Sequence, residues 1–232
     1  MLTLRSINQH LAVRDRPPLA IRTRPKILPH QDAVAATATE PPQPNPRFES
    51  KARRRELLNL LRVKNAAKHL DHLPAPGCSI HGIMRGNYSF CDLIPAVLSM
   101  LSPATLTYVA ATTLGFSRKA ILQILDLIDS GGVARFDFVC ADFFAKSDPE
   151  ICMFARAELT RRASKFTAAR CHAKIILFAT SDGQHFTSES SANIRACRSI
   201  EQFALTNDRE LFEFHREWID EIFNAPEETN KA

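Results

Sequence analysis

Glycine is scarce, with seven residues in a chain of 232. There is no G-x-G-x-x-G and no G-x-x-x-x-G-K-[ST], so a dinucleotide-binding turn or a P-loop, both of which press backbone N–H groups onto phosphates, is not expected. The six cysteines, at 78, 91, 140, 152, 171 and 197, never form a C-x-x-C pair. So few in so long a chain do not make a disulfide scaffold, and reduced thiols in a cytoplasmic setting are expected. Cys78-x-x-His81 with Cys91 offers three zinc-ligand types but no fourth at a usual spacing. Long uncharged runs are also rare. Ile94 to Phe116 is long enough to cross a bilayer, yet Pro95, Pro103 and its Ser and Thr residues favour a helix, a turn at Ser102-Pro103 and a buried strand near 105–111.

What is present is close to a globular average: 45% apolar and 24% charged residues. The net charge of +5 is unevenly spread. Residues 1–75 hold 14 Lys/Arg against six Asp/Glu. A basic arm of this kind neutralises nucleic-acid phosphates, lies on an anionic membrane, or is simply a solvated tail. Residues 1–48 read as a tail, because Pro17-Pro18, Pro25, Pro29, Pro41-Pro42, Pro44 and Pro46 break any helix. No apolar stretch follows the first basic residues, so no secretory signal is expected. An Arg-bearing start leaves an organellar address open, against which Asp15 and the prolines count. Residues 49–89 read as a basic helix and linker, with Arg53, Arg54 and Arg55 as candidate phosphate contacts and Leu57, Leu58, Leu60, Leu61 and Val63 as an apolar stripe.

Residues 90–225 alternate strand and helix patterns. Ser117 caps a helix through Ile128, Val133–Cys140 reads as a strand, and Pro149 opens a helix running to about Ser164. Cys171–Phe178 reads as a strand, Asp182-Gly183 as a hairpin turn and 184–189 as its second arm. A strand near Ser199–Leu205 and a final amphipathic helix capped at Asn207 or Asp208 complete the pattern. His215 is expected at the surface of that helix and His185 at a hairpin edge. Asp137 and Asp142 flank a strand end and read as solvated loop acids. The expectation is an α/β fold, a mixed β-sheet flanked by helices.

The chemistry concentrates around His172. On a strand, His172, Lys174 and Ile176 share one face, while Ala173, Ile175 and Leu177 share the other, expected to be the buried one. A cation beside an imidazole disfavours its protonation and favours a neutral, nucleophilic nitrogen. Downstream, Glu189-Ser190-Ser191-Ala192-Asn193 supplies hydroxyl and amide donors suited to phosphate oxygens. Glu201, in Ile200-Glu201-Gln202, supplies a carboxylate able to orient an imidazole. The plain alternative is a polar hairpin edge.

These residues resemble the phospholipase D superfamily, whose motif is His-x-Lys-x4-Asp-x6-Gly-Ser-x-Asn. His172-x-Lys174 and Ser191-x-Asn193 match it. Ala179 stands at the motif Asp, Ser190 at the motif Gly, and the second half falls four residues late. Asp182 offers a replacement acid or a turn residue. The resemblance, over roughly residues 90–223, implies a phospholipase D-like α/β/α sandwich. It also implies a metal-independent phosphodiesterase without cofactor, and a homodimer that completes one site from two single-motif chains. His172, Lys174, Ser191, Asn193 and Glu201 would carry the reaction. DNA or RNA is the favoured substrate on the basic N-terminal third. A catalytically weak nucleic-acid binder and a lipid phosphodiesterase at a membrane are the alternatives.

Overall fold

The computed structural model describes residues 47–196 and 198–225, with side chains from Leu58 onward. The segment read as a tail lies almost wholly outside these residues, as do the side chains of Arg53, Arg54 and Arg55. The stretch after Pro46 holds no proline before Pro74, and it forms one helix, α1 (Arg47–Leu70). Strand β1 (Ser79–Met84) follows, within the segment read as a linker. A single tight turn (Phe90–Asp92) leads into α2 (Leu93–Leu101), as expected for the uncharged run. Among the described residues no helix is long and apolar enough to cross a membrane.

The remaining elements are β2 (Leu106–Thr113), α3 (Arg118–Asp129), β3 (Phe136–Ala141), α4 (Asp142–Ser147), α5 (Pro149–Thr160), β4 (Phe166–Ala169), β5 (Ile175–Thr180), β6 (His185–Ser190), β7 (Glu201–Asn207) and α6 (Arg209–Asn224). The caps fall where the polar residues predict. Ser117 Oγ accepts from Ala120 N at 3.2 Å, and Asp208 Oδ1 accepts from Glu210 N and Leu211 N at 2.8 and 3.1 Å. Asp182-Gly183 turns β5 into β6, with Gly183 at φ 84°.

The seven strands form one mixed sheet in the order β1-β7-β6-β5-β2-β3-β4. β2, β3 and β4 are parallel, and the other pairings are antiparallel. Helices cover both faces. Ala66, Leu70, Ile94, Val97, Ile121, Ile124 and Leu159 pack one face with Phe136, Phe138, Phe178, Phe186 and Phe203. On the other, Phe212 and Ile219 of α6 pack against Ala110, Val139, Ile175 and Leu177. The α/β fold with a mixed, helix-flanked sheet is as expected.

The strand bearing the motif is buried differently from the expectation. Its two faces are both covered, so Ile175 and Leu177 meet one core and Ile176 and Phe178 the other. It also begins later, at Ile175. The side chain of Thr112 explains the shift: its Oγ1 donates to Ala173 O at 3.1 Å and accepts from Ile175 N at 3.2 Å. A hydroxyl thus takes over the ladder bonds, and residues 171–174 leave the sheet.

His215 is a correction. It is buried, not superficial. Positions 212, 215 and 219 share one helical face. Trp218 Nε1 donates to His215 Nδ1 at 3.1 Å. Its Nε2 faces Glu189 Oε1 at 3.4 Å without hydrogen-bond alignment. Burial holds the His215 imidazole below the usual histidine range, and Glu189 opposes that shift. Asp137 is a second correction: it is fully buried on β3, not solvated in a loop. Arg135 donates to its two oxygens at 3.0 and 2.6 Å, and Lys165 N donates at 3.0 Å.

Candidate active site

β2, β3 and β4 run in parallel, and their carboxyl ends open one end of the sheet, where ligands of open α/β sheets bind. β5 runs antiparallel to this set and β6 antiparallel to β5, so the start of β5 and the end of β6 lie at that same end. The register therefore gathers residues distant in sequence. Thr112 pairs with Ile175, and Ile175 with Glu189. Ser190 N donates to Lys174 O at 2.9 Å, and Ser191 N to Gln202 O at 3.1 Å. His172, Lys174, Ser190, Ser191, Asn193 and Glu201 thus belong to one end of the sheet.

His172 is exposed, whereas Lys174 is only 9% exposed. Lys174 Nζ donates to His172 O at 2.6 Å and to His172 Nδ1 at 3.0 Å. An ammonium has three donors, so one N–H remains for an anion. Nζ also lies 3.5 Å from His172 Nε2, so the ring nitrogen that accepts is set by the tautomer. Burial holds the Lys174 ammonium below the usual lysine range; Cys171 and Glu201 pull the other way.

Asn193 is pinned through its oxygen. Leu114 N donates to Oδ1 at 3.1 Å, and Thr113 Oγ1 lies 3.3 Å away. A backbone N–H can only donate, so the carboxamide oxygen faces β2 and the NH2 group points elsewhere. Thr113 fixes the next residue too: its Oγ1 accepts from Ile194 N at 3.0 Å and lies 2.9 Å from Gly115 O. Thr112 and Thr113 are site-shaping residues that sequence reasoning missed. Two threonines ending an apolar strand were the available signal.

Ser191 Oγ bonds Glu201 Oε2 and accepts from Gln202 N at 3.0 Å. Ser190 Oγ bonds Gln202 O at 2.5 Å and accepts from Ala192 N at 3.0 Å. Ser190 in the motif Gly position therefore staples its own turn. Among the described residues Glu201 bonds Ser191 and not His172. Ala179 lies at the far end of β5, where its carbonyl accepts from Thr107 Oγ1 at 3.1 Å. Asp182 is bound by Thr180 Oγ1 and by Gln184 Nε2 at 2.9 Å, which gives it the turn role. His185 packs edge-on to Phe212, with ring centroids 4.8 Å apart. Among the described residues no group of three or more His, Cys, Asp or Glu is placed to hold a metal ion. Cys78 is exposed and Cys91 is buried.

No family model matches the chain, and no curated protein matches it. Several solved structures are similar in chain trace. Polyphosphate kinase from Porphyromonas gingivalis is 15% identical over 69% of this chain and 29% of its own, with a TM-score of 0.47. Nuc from Salmonella typhimurium, a phospholipase D family member, is 15% identical over 63% of this chain and 94% of its own, also at 0.47. Yeast tyrosyl-DNA phosphodiesterase is 12% identical over 55% of this chain and 31% of its own, at 0.33. The chain thus spans less than a third of the kinase and of the yeast enzyme, and these likenesses bear on chain trace alone.

Proposed function

We propose that the protein is a phosphodiesterase acting on nucleic acid, with His172 as nucleophile and two chains sharing one site. The observation that carries this reading is the donor set at the end of the sheet. An exposed imidazole, a buried ammonium with one N–H unspent, and a carboxamide whose oxygen is already held by Leu114 N together suit a tetrahedral anion.

In the first step the His172 imidazole attacks phosphorus, an N–P bond forms, and the bond to the leaving oxygen breaks. The partner chain's copy of the same imidazole protonates that oxygen. It then takes a proton from water, which attacks phosphorus and breaks the N–P bond. Lys174 and Asn193 hold the nonbridging oxygens, while Ser191 and Glu201 fix the turn that carries Asn193. The attacking ring must release the nitrogen held by Lys174, while the acid ring enters the step as an imidazolium and leaves it as the neutral base that takes the proton from water. Lysines and amides take the charge that a metal ion holds in other phosphoryl-transfer sites.

Purified protein is to be incubated with plasmid and with labelled RNA in EDTA, beside His172→Ala. Cleavage by the wild type alone supports the reading. Equal cleavage by both proteins, or cleavage that requires a metal, overturns it. A second reading, a nucleic-acid binder with little activity, draws on Ala179 in the motif Asp position and on the turn role of Asp182. It predicts binding without cleavage by either protein.

A further inference from the structure

Three cations outside the motif meet beside Asn193. Arg62 of α1, Lys119 in the first turn of α3, and Arg195 of the loop after Asn193 line one cleft with Ser89 and Gln123. The loop is tied to the site: Arg195 N donates to Asn193 O at 2.8 Å, and Ser117 N to Ile194 O at 3.3 Å. Arg195 also borders a second hollow, lined by Met84, Tyr88 and Glu201. The two hollows therefore share Arg195 and Ser89 in their walls, one reaching the Glu201 end of the site and the other α3.

No ion pair holds these three cations among the described residues: no carboxylate there lies within ion-pair distance of their side chains. The nearby buried acid, Asp92, is spent on Ser89 N and Oγ, both at 2.7 Å, and on Gln123 Nε2 at 3.2 Å. Burial and then the charge of Arg62 hold the Lys119 ammonium below the usual lysine range, so the two cations repel, and the charge of Asp92 pulls the other way. Tyr88 is 2% exposed, and its hydroxyl has no hydrogen-bond partner. Burial pushes that phenol up to about 12, so it stays a donor. Like charges held together beside an orphaned donor suit a ligand that carries repeated negative charge.

We propose that a nucleic-acid strand reaches the site over Arg62, Lys119 and Arg195, with its phosphates spanning from α3 to Arg195 and the Tyr88 hollow. This rests on the phosphodiesterase reading for the identity of the site, but its test reads binding alone. Cations set in a cleft by three separate elements suit a strand better than a flat bilayer surface.

The test uses a fluorescein-labelled single-stranded oligonucleotide, the His172→Ala chain, and anisotropy from 50 to 300 mM KCl. Removing three phosphate contacts (Arg62→Gln, Lys119→Gln, Arg195→Gln) is expected to weaken binding at least tenfold at low salt. It should also flatten the log K against log salt slope by about 2. Arg209→Gln on α6 should leave both unchanged, and Arg62→Lys with Arg195→Lys should restore the slope. An unchanged slope in a triple variant with wild-type melting behaviour overturns the proposal. So does absence of oligonucleotide binding by the parent chain, or binding only to phosphatidylserine vesicles. If the oligonucleotide binds over these residues but the wild type never cleaves it, the phosphodiesterase reading fails and the track stands. If a small diester is cleaved and the slope does not move, the track alone fails.

Discussion

Lys174 sits in a conflict between burial and function. On the proposed reading its ammonium must be charged to hold a phosphate oxygen, yet burial favours the neutral amine. Cleavage should therefore fall on the alkaline side at a lower pH than an ordinary lysine would impose. Lys174→Arg, which cannot deprotonate in this range, should lose that limb even if its rate is lower. A kcat–pH profile checks this; a limb that persists in the arginine variant contradicts it. Thr113 tests the positioning of Asn193. Thr113→Val keeps shape but removes the acceptor for Ile194 N. A fall in kcat of roughly tenfold with KM little changed is expected, with a stability loss of about 1 kcal/mol. Thr113→Ser should recover most of the rate. An equal loss in the serine variant points to packing instead.

Among the elements, α6 carries the buried His215, through which its docking is expected to depend on pH. His215 is held below its ordinary value in the folded chain, so the unfolded chain takes up a proton first as pH falls. Stability should then decline as pH drops from neutrality through the unfolded histidine range, and level off below the folded value. His215→Gln keeps an acceptor for Trp218 and should flatten the decline in urea midpoints between pH 7 and 5. An unaltered decline would assign it to another group.

Local signals reached far at this scale. Ser117, Asp208 and Asp182-Gly183 each punctuated an element where a cap or turn was expected. The short β4, Phe-Thr-Ala-Ala, and the edge strand β1, Ser-Ile-His-Gly-Ile-Met, were not legible. Their place depends on partners far along the chain. Gly82 shows why: a side chain there would run into the Phe203 ring at 2.4 Å. The same limit hid Thr113, Arg62 and Arg195, whose meaning lies in where three segments converge. His172, Lys174, Ser191, Asn193 and Glu201 could be singled out because a residue pattern carries them, and the fold brings them to one end of the sheet. The surface placement expected for His215 ran against the pattern itself, since it shares a helical face with the buried Phe212 and Ile219.

At the scale of the molecule, a site made from two copies of one motif behaves unlike a monomeric enzyme. If two chains share the proposed site, coexpression of wild-type and His172→Ala chains in equal amounts gives hybrids with a single imidazole there. If both imidazoles are required, activity per chain falls to about a quarter of the wild type, the share of doubly wild-type pairs under random pairing. Independent chains would retain about half. Sedimentation at matched concentration reads the pairing itself.

The central claim is a covalent bond between His172 and phosphorus. Rapid mixing with an oligonucleotide substrate, a millisecond quench kept alkaline to preserve a phosphoramidate, and peptide mass analysis would look for that bond directly. The expected result is a phosphoryl adduct on the peptide bearing His172, rising before product and decaying as product appears. Product formed with no adduct at any time, or an adduct on another residue with His172→Ala turning over at the wild-type rate, would contradict it.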